Sequence, residues 1–422
     1  MKSVSFKTLG CRLNQYETDA LVTDFEKAGY RIVDFSEPAD ISVINTCTVT
    51  SHSDQKSRNI ISQAISRNSN ALIVVTGCMV ENLKNELVKN KNIAYLVDNR
   101  RKSQIVSLID GHYKGEIIDP DTLPGDVFGF KTVHKSFHTR TAVKIQDGCD
   151  NFCTFCIVPF VRGRAVSRPL HEITDNVRRV LDNGFRELVI TGVNIGKYNY
   201  EGFDFEHVLE HILEIQGDFR VRISSLEPYG FGKDFHRLFE HPKLAPHLHL
   251  CLQSGSEQIL QKMRRMYTVK SFVEIIERFR NQMPDFNFTT DIIVGFPGET
   301  EEDFAETCRI AEELQFGHIH TFRYSRRTGT RADRMPDQVP EEMKIRRSEI
   351  IRSLSEKSRR IYLSRMLGKS QTVLIEQIDK RGLAHGYGEH YIPVIFKPVI
   401  PEKNRFEKVV LNKISQDNNA LA

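Results

Sequence analysis

Six of the eight cysteines in this 422-residue chain fall into two groups of three, at positions 11, 47 and 78 and at positions 149, 153 and 156. Odd-numbered groups pair poorly as disulfides and suit ligation of a metal or a cluster. The second group is compact, Cys149-x3-Cys153-x2-Cys156, with Phe152 and Phe155 interleaved. A structural zinc site takes four ligands, commonly as two close pairs. Three thiolates instead suit a four-iron cluster in which one iron keeps a position open for a substrate or cofactor, on the logic that makes three-ligand metal sites catalytic. The first group is dispersed, with 35 and 30 residues between successive cysteines. It forms one site only if the fold gathers it.

The elements around the first group can do so. Residues 4–8, 41–45 and 72–76 are short runs rich in β-branched residues that end in turn signals, and 15–28 and 53–67 carry helical patterns between them. This is the βαβ pattern of an open parallel sheet. Cys11, Cys47 and Cys78 each lie just beyond a strand, and the C-terminal strand ends of such a sheet share one edge, where ligands bind. Three unrelated core cysteines would need the same placement three times by chance. Gly111, Gly115, Pro120, Pro124, Gly125 and Gly129 then punctuate a stretch with little periodicity. The expected division is a sheet domain over 1–110 and a linker over 111–140.

From 141 the alternation resumes. Candidate strands are 141–146, 187–191, 220–224, 247–252, 287–294 and 318–322, with helices at 170–183, 205–216, 269–282 and 301–314. Six β-then-α units predict a complete or partial parallel barrel, and functional groups in such a barrel sit at the C-terminal ends of its strands. Cys149, Cys153 and Cys156 follow the first strand at that end.

The formal net charge is only +4, yet residues 323–369 hold 14 lysines and arginines against 6 acidic residues. A helix from Glu341, with Ile350, Ile351, Leu354 and Ile361 as an apolar stripe, presents either a solvated basic face or a surface that neutralises phosphates. The barrel with this extension is expected over 141–366. Beyond it, 371–376, 391–396 and 409–414 read as strands between glycine turns, so 368–422 is expected to form a small β-barrel of the kind common among RNA-binding modules. Apolar residues at 40% and charged residues at 27% exclude global disorder. No apolar run approaches the roughly 20 residues of a membrane span, and MKSV at the start lacks the apolar core of a signal peptide. A soluble cytoplasmic protein with reduced thiols is expected.

The CxxxCxxC loop with an aromatic residue before its last cysteine resembles the cluster loop of radical S-adenosylmethionine enzymes. The string KIQDGC at 144–149, continuing through Cys156 to RGR at 162–164, resembles the methylthiotransferase branch of that superfamily. TLGCRLNQYET at 8–18 and INTCTVT at 44–50 are most similar to the subgroup acting on threonylcarbamoyladenosine in tRNA. The resemblance covers essentially the whole chain, including the C-terminal module, which that family calls a TRAM domain. It implies an α/β protein with an open parallel sheet domain, a partial (β/α)6 radical SAM barrel and a TRAM-like barrel. It implies two [4Fe–4S] clusters, one held by Cys11, Cys47 and Cys78 and one by Cys149, Cys153 and Cys156. The barrel cluster would bind S-adenosylmethionine and yield a 5′-deoxyadenosyl radical; the other would carry sulfide, accept a methyl group and donate methylthio to C2 of the base. An adenine C2–H has no convenient polar route to a C–S bond, so a cofactor supplies the driving force. The implied partners are tRNA, an electron donor such as flavodoxin or ferredoxin, and a sulfur source.

For S-adenosylmethionine the resemblance implies Phe155 near adenine and Thr191-Gly192 near the methionyl amino group, with Ser224, Glu227, Gln253, Ser254 and Gly295 following the later strands. Glycines and serines there also make ordinary βα turns. Cys308 at helical spacing with Phe304, Ala311 and Leu314 reads as core, and Cys251 in HLCLQ at 249–253 reads as packing. Arg162, Arg164, Arg326 and Arg327 fall near the barrel opening, where a bidentate contact to a substrate carboxylate is one role and phosphate or solvent the other. Sibling readings are methylthiolation of isopentenyladenosine in tRNA or of a ribosomal-protein aspartate. A reading from another class is a non-catalytic iron–sulfur redox sensor that binds RNA, and a structural zinc protein is the remaining alternative.

Overall fold

The computed structural model describes residues 1–130, 133 and 139–422; residues 131–132 and 134–138 of the expected linker lie outside the described residues. The N-terminal sheet is wholly parallel, in the order β2-β1-β3-β4-β5, from β1 (Ser3–Thr8), β2 (Arg31–Val33), β3 (Ile41–Thr46), β4 (Leu72–Gly77) and β5 (Tyr95–Val97). Helices α1 (Arg12–Lys27) and α4 (Ile105–Tyr113) cover one face, and α2 (Ser51–Arg67) and α3 (Cys78–Leu87) cover the other. Alternation along the strands produces this double cover: Ile41, Val43 and Val74 face α1 and α4, whereas Ile44, Ile73 and Val75 face α2 and α3. Helix α1 buries Leu13, Tyr16, Ala20, Leu21 and Phe25. The short strands β2 and β5 carry too few residues to show a period.

The barrel strands run Thr141–Lys144, Glu187–Thr191, Arg220–Ile223, His247–Leu250, Asn287–Val294 and His318–Arg323, parallel and in sequence order. The third strand bends at Ser224 and resumes at Ser225–Leu226, the piece that pairs with the fourth. Leu248, Leu250, Phe288 and Ile292 face the surrounding helices, while their alternates His247, His249, Thr289 and Asp291 border the lumen. The long helix Glu341–Met366 lies along the last strand, where Ile319 N donates to Ser355 Oγ at 2.9 Å. Its buried face differs from the expected apolar stripe: Ile351 is buried and Ile350 exposed, and Lys344, Arg347, Ser348, Ser355 and Ser358 are buried with it. Small serines let the helix approach the strand edge closely. Much of the expected basic surface is internally paired, Arg347 with Glu299 at 2.8 Å and Arg346 with Glu301 at 2.8 Å.

The C-terminal module is a curled six-stranded sheet around Val373, Ile375, Val394 and Phe396, closed by Tyr362, Leu363 and Met366 of the long helix. The expected strand over 409–414 divides into Phe406–Val410 and Lys413–Ile414. The expected strand over 391–396 begins only at Pro393: Tyr391 precedes it at φ +61°, with its ring 4.6 Å from that of His247 in the barrel.

Two buried polar networks join the three parts. Glu17 of α1 accepts from Lys102, Lys144 and Arg162, while Asp147 pairs with Lys144 at 2.6 Å and with Arg162 at 3.0 Å. Burial alone would raise both carboxyl pKa values, but Arg162 and Lys144, with Lys102 at Glu17, hold both below the ordinary range. On the other side, Glu187 binds Arg220 and Arg222, whose remaining N–H groups donate to the carbonyls of Thr372, Tyr387, Gly388 and Glu389 in the C-terminal module. Burial opposes ionisation of Glu187, yet Arg222, Arg220 and Arg140 bring its pKa down to about 2.

Breaking a buried ion network strands the partner charges. Lys144→Met should destabilise the protein by about 3–5 kcal/mol in urea unfolding, whereas Arg178→Ala, which removes an exposed pair with Asp175, should cost under about 1 kcal/mol. The depressed Glu187 pKa sets a second expectation. Its contribution is complete above the unfolded value near 4.5 and is lost as pH falls toward 2. This amounts to something on the order of 3 kcal/mol. Glu187→Gln should be less stable at pH 7 and lack that part of the acid slope in melting temperature.

Candidate cluster and cofactor site

Each cysteine of the first triplet stands where a sheet strand gives way to a helix. Cys11 is the N-cap of α1, Cys47 follows β3 directly, and Cys78 is the first residue of α3 after β4. Because β1, β3 and β4 are neighbours in the sheet, the three positions share one edge, as the sequence pattern predicts. A Cβ added at Gly10 would come within 2.9 Å of Cys47 Sγ, and φ of +96° there also favours glycine. Cys11 is exposed, and Cys47 and Cys78 are buried. Burial pushes the Cys78 thiol up, opposed by the nearby Arg162 and Lys102 charges.

The second triplet lies on the loop after the first barrel strand. Gly148 at φ +68° lets the chain pass against the Arg164 carbonyl, where a Cβ would collide. Cys149 Sγ accepts from Asn151 N at 3.5 Å and from Asn194 Nδ2 at 3.8 Å, and Cys153 Sγ accepts from Arg265 NH1 at 3.2 Å. Burial, then the neighbouring Cys153, pushes the Cys156 thiol up to about 12. The loop continues into α5 (Val158–Arg162), which packs on α3, so Cys78 touches Ile157 and Val161. Asn99 seals the junction, donating to the Val161 carbonyl at 2.7 Å and to Cys78 Sγ at 3.8 Å. Thus the residues that follow one triplet are the packing partners of the other.

Neither triplet has its three sulfurs gathered as one metal ion would require. Thiolates sharing one zinc ion stand ~3.8 Å apart, from Zn–S bonds of about 2.3 Å. Among the described residues, the group of three ligand-type side chains gathered within 4.8 Å is instead His249, Cys251 and Asp291. There His249 Nε2 already pairs with Asp291 at 3.2 Å, and buried Cys251 sits beside them. Each triplet also has an asparagine that donates to one of its sulfurs while keeping its own Oδ1 buried without a protein partner, Asn194 and Asn99. The Asn194 acceptor, beside Cys149, stays open to a donor from outside the protein.

The other expected cofactor residues separate by what the structure does with them. Thr191 is buried beside Gly192, and a Cβ at Gly192 would come within 2.9 Å of the Gln146 carbonyl, so close packing requires that glycine. Phe155 packs with Phe296, Ile259 and Met263. Glu227 is bound by Arg265 and is pushed up by burial, which Arg265 opposes. Gln253 adopts φ +66° and bridges to the fifth strand through its backbone, donating to the Asp291 carbonyl at 2.8 Å. Ser254 accepts from Ser256 N at 3.2 Å and stabilises its turn. Gly295 lies against Lys344 of the long helix, which a Cβ would meet, and its N–H donates to Glu299 at 2.9 Å. Ser224 is half-buried and lines the lumen. Asn194, Asn99 and Arg265 were not legible as site residues, since no motif marks them.

The arginines near the opening are corrected by the structure. Arg162 is buried in the Glu17–Asp147 network, and Arg327 is buried against Asp54 at 2.7 Å and Thr48 at 2.9 Å, locking the N-terminal sheet to the barrel. Neither is available to a substrate. Arg164 and Arg326 remain exposed, paired with Asp150 and Asp333.

Arg265→Met should strand buried Glu227 and remove the donor to Cys153. The expected outcome is a loss of about 3–5 kcal/mol in stability together with reduced iron retention, measured by thermal unfolding and iron analysis after anaerobic reconstitution. Arg265→Lys should restore part of the stability.

Known proteins resemble the chain along its length. Residues 3–98 match the family described as Uncharacterized protein family UPF0004, and residues 143–311 match the Radical SAM superfamily. The threonylcarbamoyladenosine tRNA methylthiotransferase MtaB of Thermotoga maritima is 36% identical, across 93% of this chain and 91% of its own. The protein of the same name from Bacillus subtilis is 34% identical, across 99% and 96%. A tRNA-2-methylthio-N(6)-dimethylallyladenosine synthase of a Thermoanaerobacter species is 36% identical across 89% and 82%. Among solved structures, the radical S-adenosylmethionine methyltransferase TsrM of Kitasatospora setae shares the fold, with a TM-score of 0.58 at 15% identity over 76% of this chain and 73% of that one.

Proposed function

The chain belongs to the radical SAM tRNA methylthiotransferase family, and from that premise we propose that it places a methylthio group on C2 of N6-threonylcarbamoyladenosine beside the anticodon, using two [4Fe–4S] clusters. The observation that carries the two-cluster reading is the packing of α5, which runs on from Cys156, against Cys78 at the head of α3. Two triplets held in one rigid contact suit a reaction that needs a radical and a sulfur donor at the same base. A redox sensor has no use for that juxtaposition around a barrel lumen. The relatives named for threonylcarbamoyladenosine support the substrate. So does the polar lining of the lumen, with Ser224, His249, Thr289 and His320, since an isopentenyl group would call for an apolar one.

Bound in the barrel, a reduced [4Fe–4S] cluster with S-adenosylmethionine supplies the radical that activates an inert C–H bond, and the second cluster supplies sulfur. The chain's part is to hold and surround them. Cys149, Cys153 and Cys156 hold one and Cys11, Cys47 and Cys78 the other. N–H groups of Asn194, Arg265 and Asn99 point at sulfurs, and such contacts tune potential. Arg162 and Lys102 offset thiolate charge at Cys78. Phe155 and Phe296 exclude water beside the loop. An adenosine in the anticodon loop is single-stranded, so its base enters without melting a duplex. The C-terminal module and exposed lysines and arginines hold the tRNA body, and an electron donor of the flavodoxin or ferredoxin class and a sulfur source complete the partners. Among the described residues no helix is long and apolar enough to cross a membrane, and action on tRNA puts the enzyme in the cytoplasm.

The two triplets should be separable. Cys153→Ala should abolish 5′-deoxyadenosine formation, and Cys47→Ala should keep it while making no methylthio product. Nucleoside mass spectrometry after incubation with each modified tRNA tests the substrate. Methylthiolation of isopentenyladenosine with none of threonylcarbamoyladenosine would overturn the substrate reading.

A further inference from the structure

A cavity of about 260 Å³ lies in the barrel lumen where all three parts of the chain meet. Its wall includes Arg12 from the N-terminal sheet domain, Ser224, His249, Asp291 and His320 from the barrel, and Tyr391 from the C-terminal module. Resting on the threonylcarbamoyladenosine reading above, we propose that this cavity takes the threonyl end of the N6 substituent and that Arg12 binds its carboxylate.

The charge inventory of the wall singles out Arg12. The other guanidinium there, Arg222, is committed through all three nitrogens, to Glu187 at 2.9 Å and to the Glu389 and Gly388 carbonyls at 3.2 Å. Among the described residues Arg12 makes one side-chain hydrogen bond, from NH2 to the Tyr391 hydroxyl at 2.9 Å, and pairs with no carboxylate. The hydroxyl takes one of the two NH2 hydrogens, so the other NH2 hydrogen, with Nε on one edge or NH1 on the other, remains as a fork of donors held in place by that tyrosine, the geometry that recognises a carboxylate through two parallel bonds. The acid in the wall, Asp291, is hydrogen-bonded to His249 at 3.2 Å and makes no pair with Arg12 among the described residues. Ser224 and His320 supply further polar groups for the threonyl hydroxyl and the carbamoyl unit.

Position supports the same ligand. Arg12 follows Cys11 directly in the chain. Asp291 of the same wall lies close enough to Glu227 to influence its ionisation, and Glu227 is bound by Arg265, the donor to Cys153. Anchoring the N6 substituent here would fix the direction in which the C2 edge of the adenine points.

The test uses reconstituted full-length protein and anticodon stem-loops carrying threonylcarbamoyladenosine, its carboxylate methyl ester, or isopentenyladenosine. Affinity is read by fluorescence anisotropy and turnover by product analysis. Wild type should bind the ester roughly 10- to 100-fold more weakly than the acid, the range for a hydrogen bond to a charged group. Arg12→Ala should lose the same factor on the acid and nothing further on the ester, with Arg12→Lys between them. Iron content and 5′-deoxyadenosine yield should stay at the wild-type level, which separates this role from damage at Cys11. Equal acid-to-ester ratios in wild type and Arg12→Ala would overturn the assignment while leaving the substrate reading intact. Should Arg12→Ala lose iron, wild type decides alone, since ester binding as tight as acid refutes the proposal. A wild type that prefers isopentenyladenosine refutes the substrate reading itself.

Discussion

Five buried charges, Glu17, Lys102, Lys144, Asp147 and Arg162, determine how the N-terminal sheet sits on the barrel. Such networks add little net stability compared with an apolar contact of the same size, because desolvation offsets most of the attraction. What they add is register, since a displaced interface would leave carboxylates and ammonium groups buried without partners. With three cations against two carboxylates, the network also carries a surplus positive charge beside Cys78, and Arg162 and Lys102 both act on that thiol. A site meant to hold anionic sulfur ligands needs such a counter-charge close by. One set of contacts thus ties the elements that carry the two triplets together and eases the charge of a thiolate at Cys78.

The C-terminal module uses the same device from the opposite side. Arg220 and Arg222 would be two buried cations against Glu187 alone, and carbonyls of the module complete their hydrogen bonds. The module is therefore part of the barrel's floor. Removing it would leave guanidinium groups unsatisfied in the lumen, so deletion of residues 370–422 is a test of folding before it is a test of tRNA binding.

The sequence was most informative where period and chemistry coincide. Strand 287–294 and helices 269–282 and 301–314 agree with the structure at both ends, because alternation and capping threonines at 268 and 300 mark them. The gathering of Cys11, Cys47 and Cys78 was legible because each follows a buried β-branched run. Asn99, Asn194 and Arg265 were not, since their contacts with sulfur arise from tertiary placement alone. Arg162 and Arg327 were misjudged for a related reason: position near a barrel opening says nothing about whether a carboxylate from another domain already waits there. The basic stretch misled similarly, because Glu299, Glu301 and Asp54, remote in sequence, absorb part of its charge.

A radical reaction needs a site that is dry, and a modified tRNA base needs a site that is polar enough to recognise its substituent. The lumen meets both demands by dividing its length. At the cluster end, Phe155, Phe296 and Met263 surround the cysteine loop with apolar surface. Farther in, histidines, serine and threonine border the cavity, where Asp291 is hydrogen-bonded to His249 and Arg222 is paired with Glu187. A charge satisfied by protein groups demands less water of hydration than a free one. An anionic group entering it would exchange solvent for fixed donors, and only a group with the right charge in the right place would gain by doing so. Recognition and exclusion of water are in this way the same property of the wall.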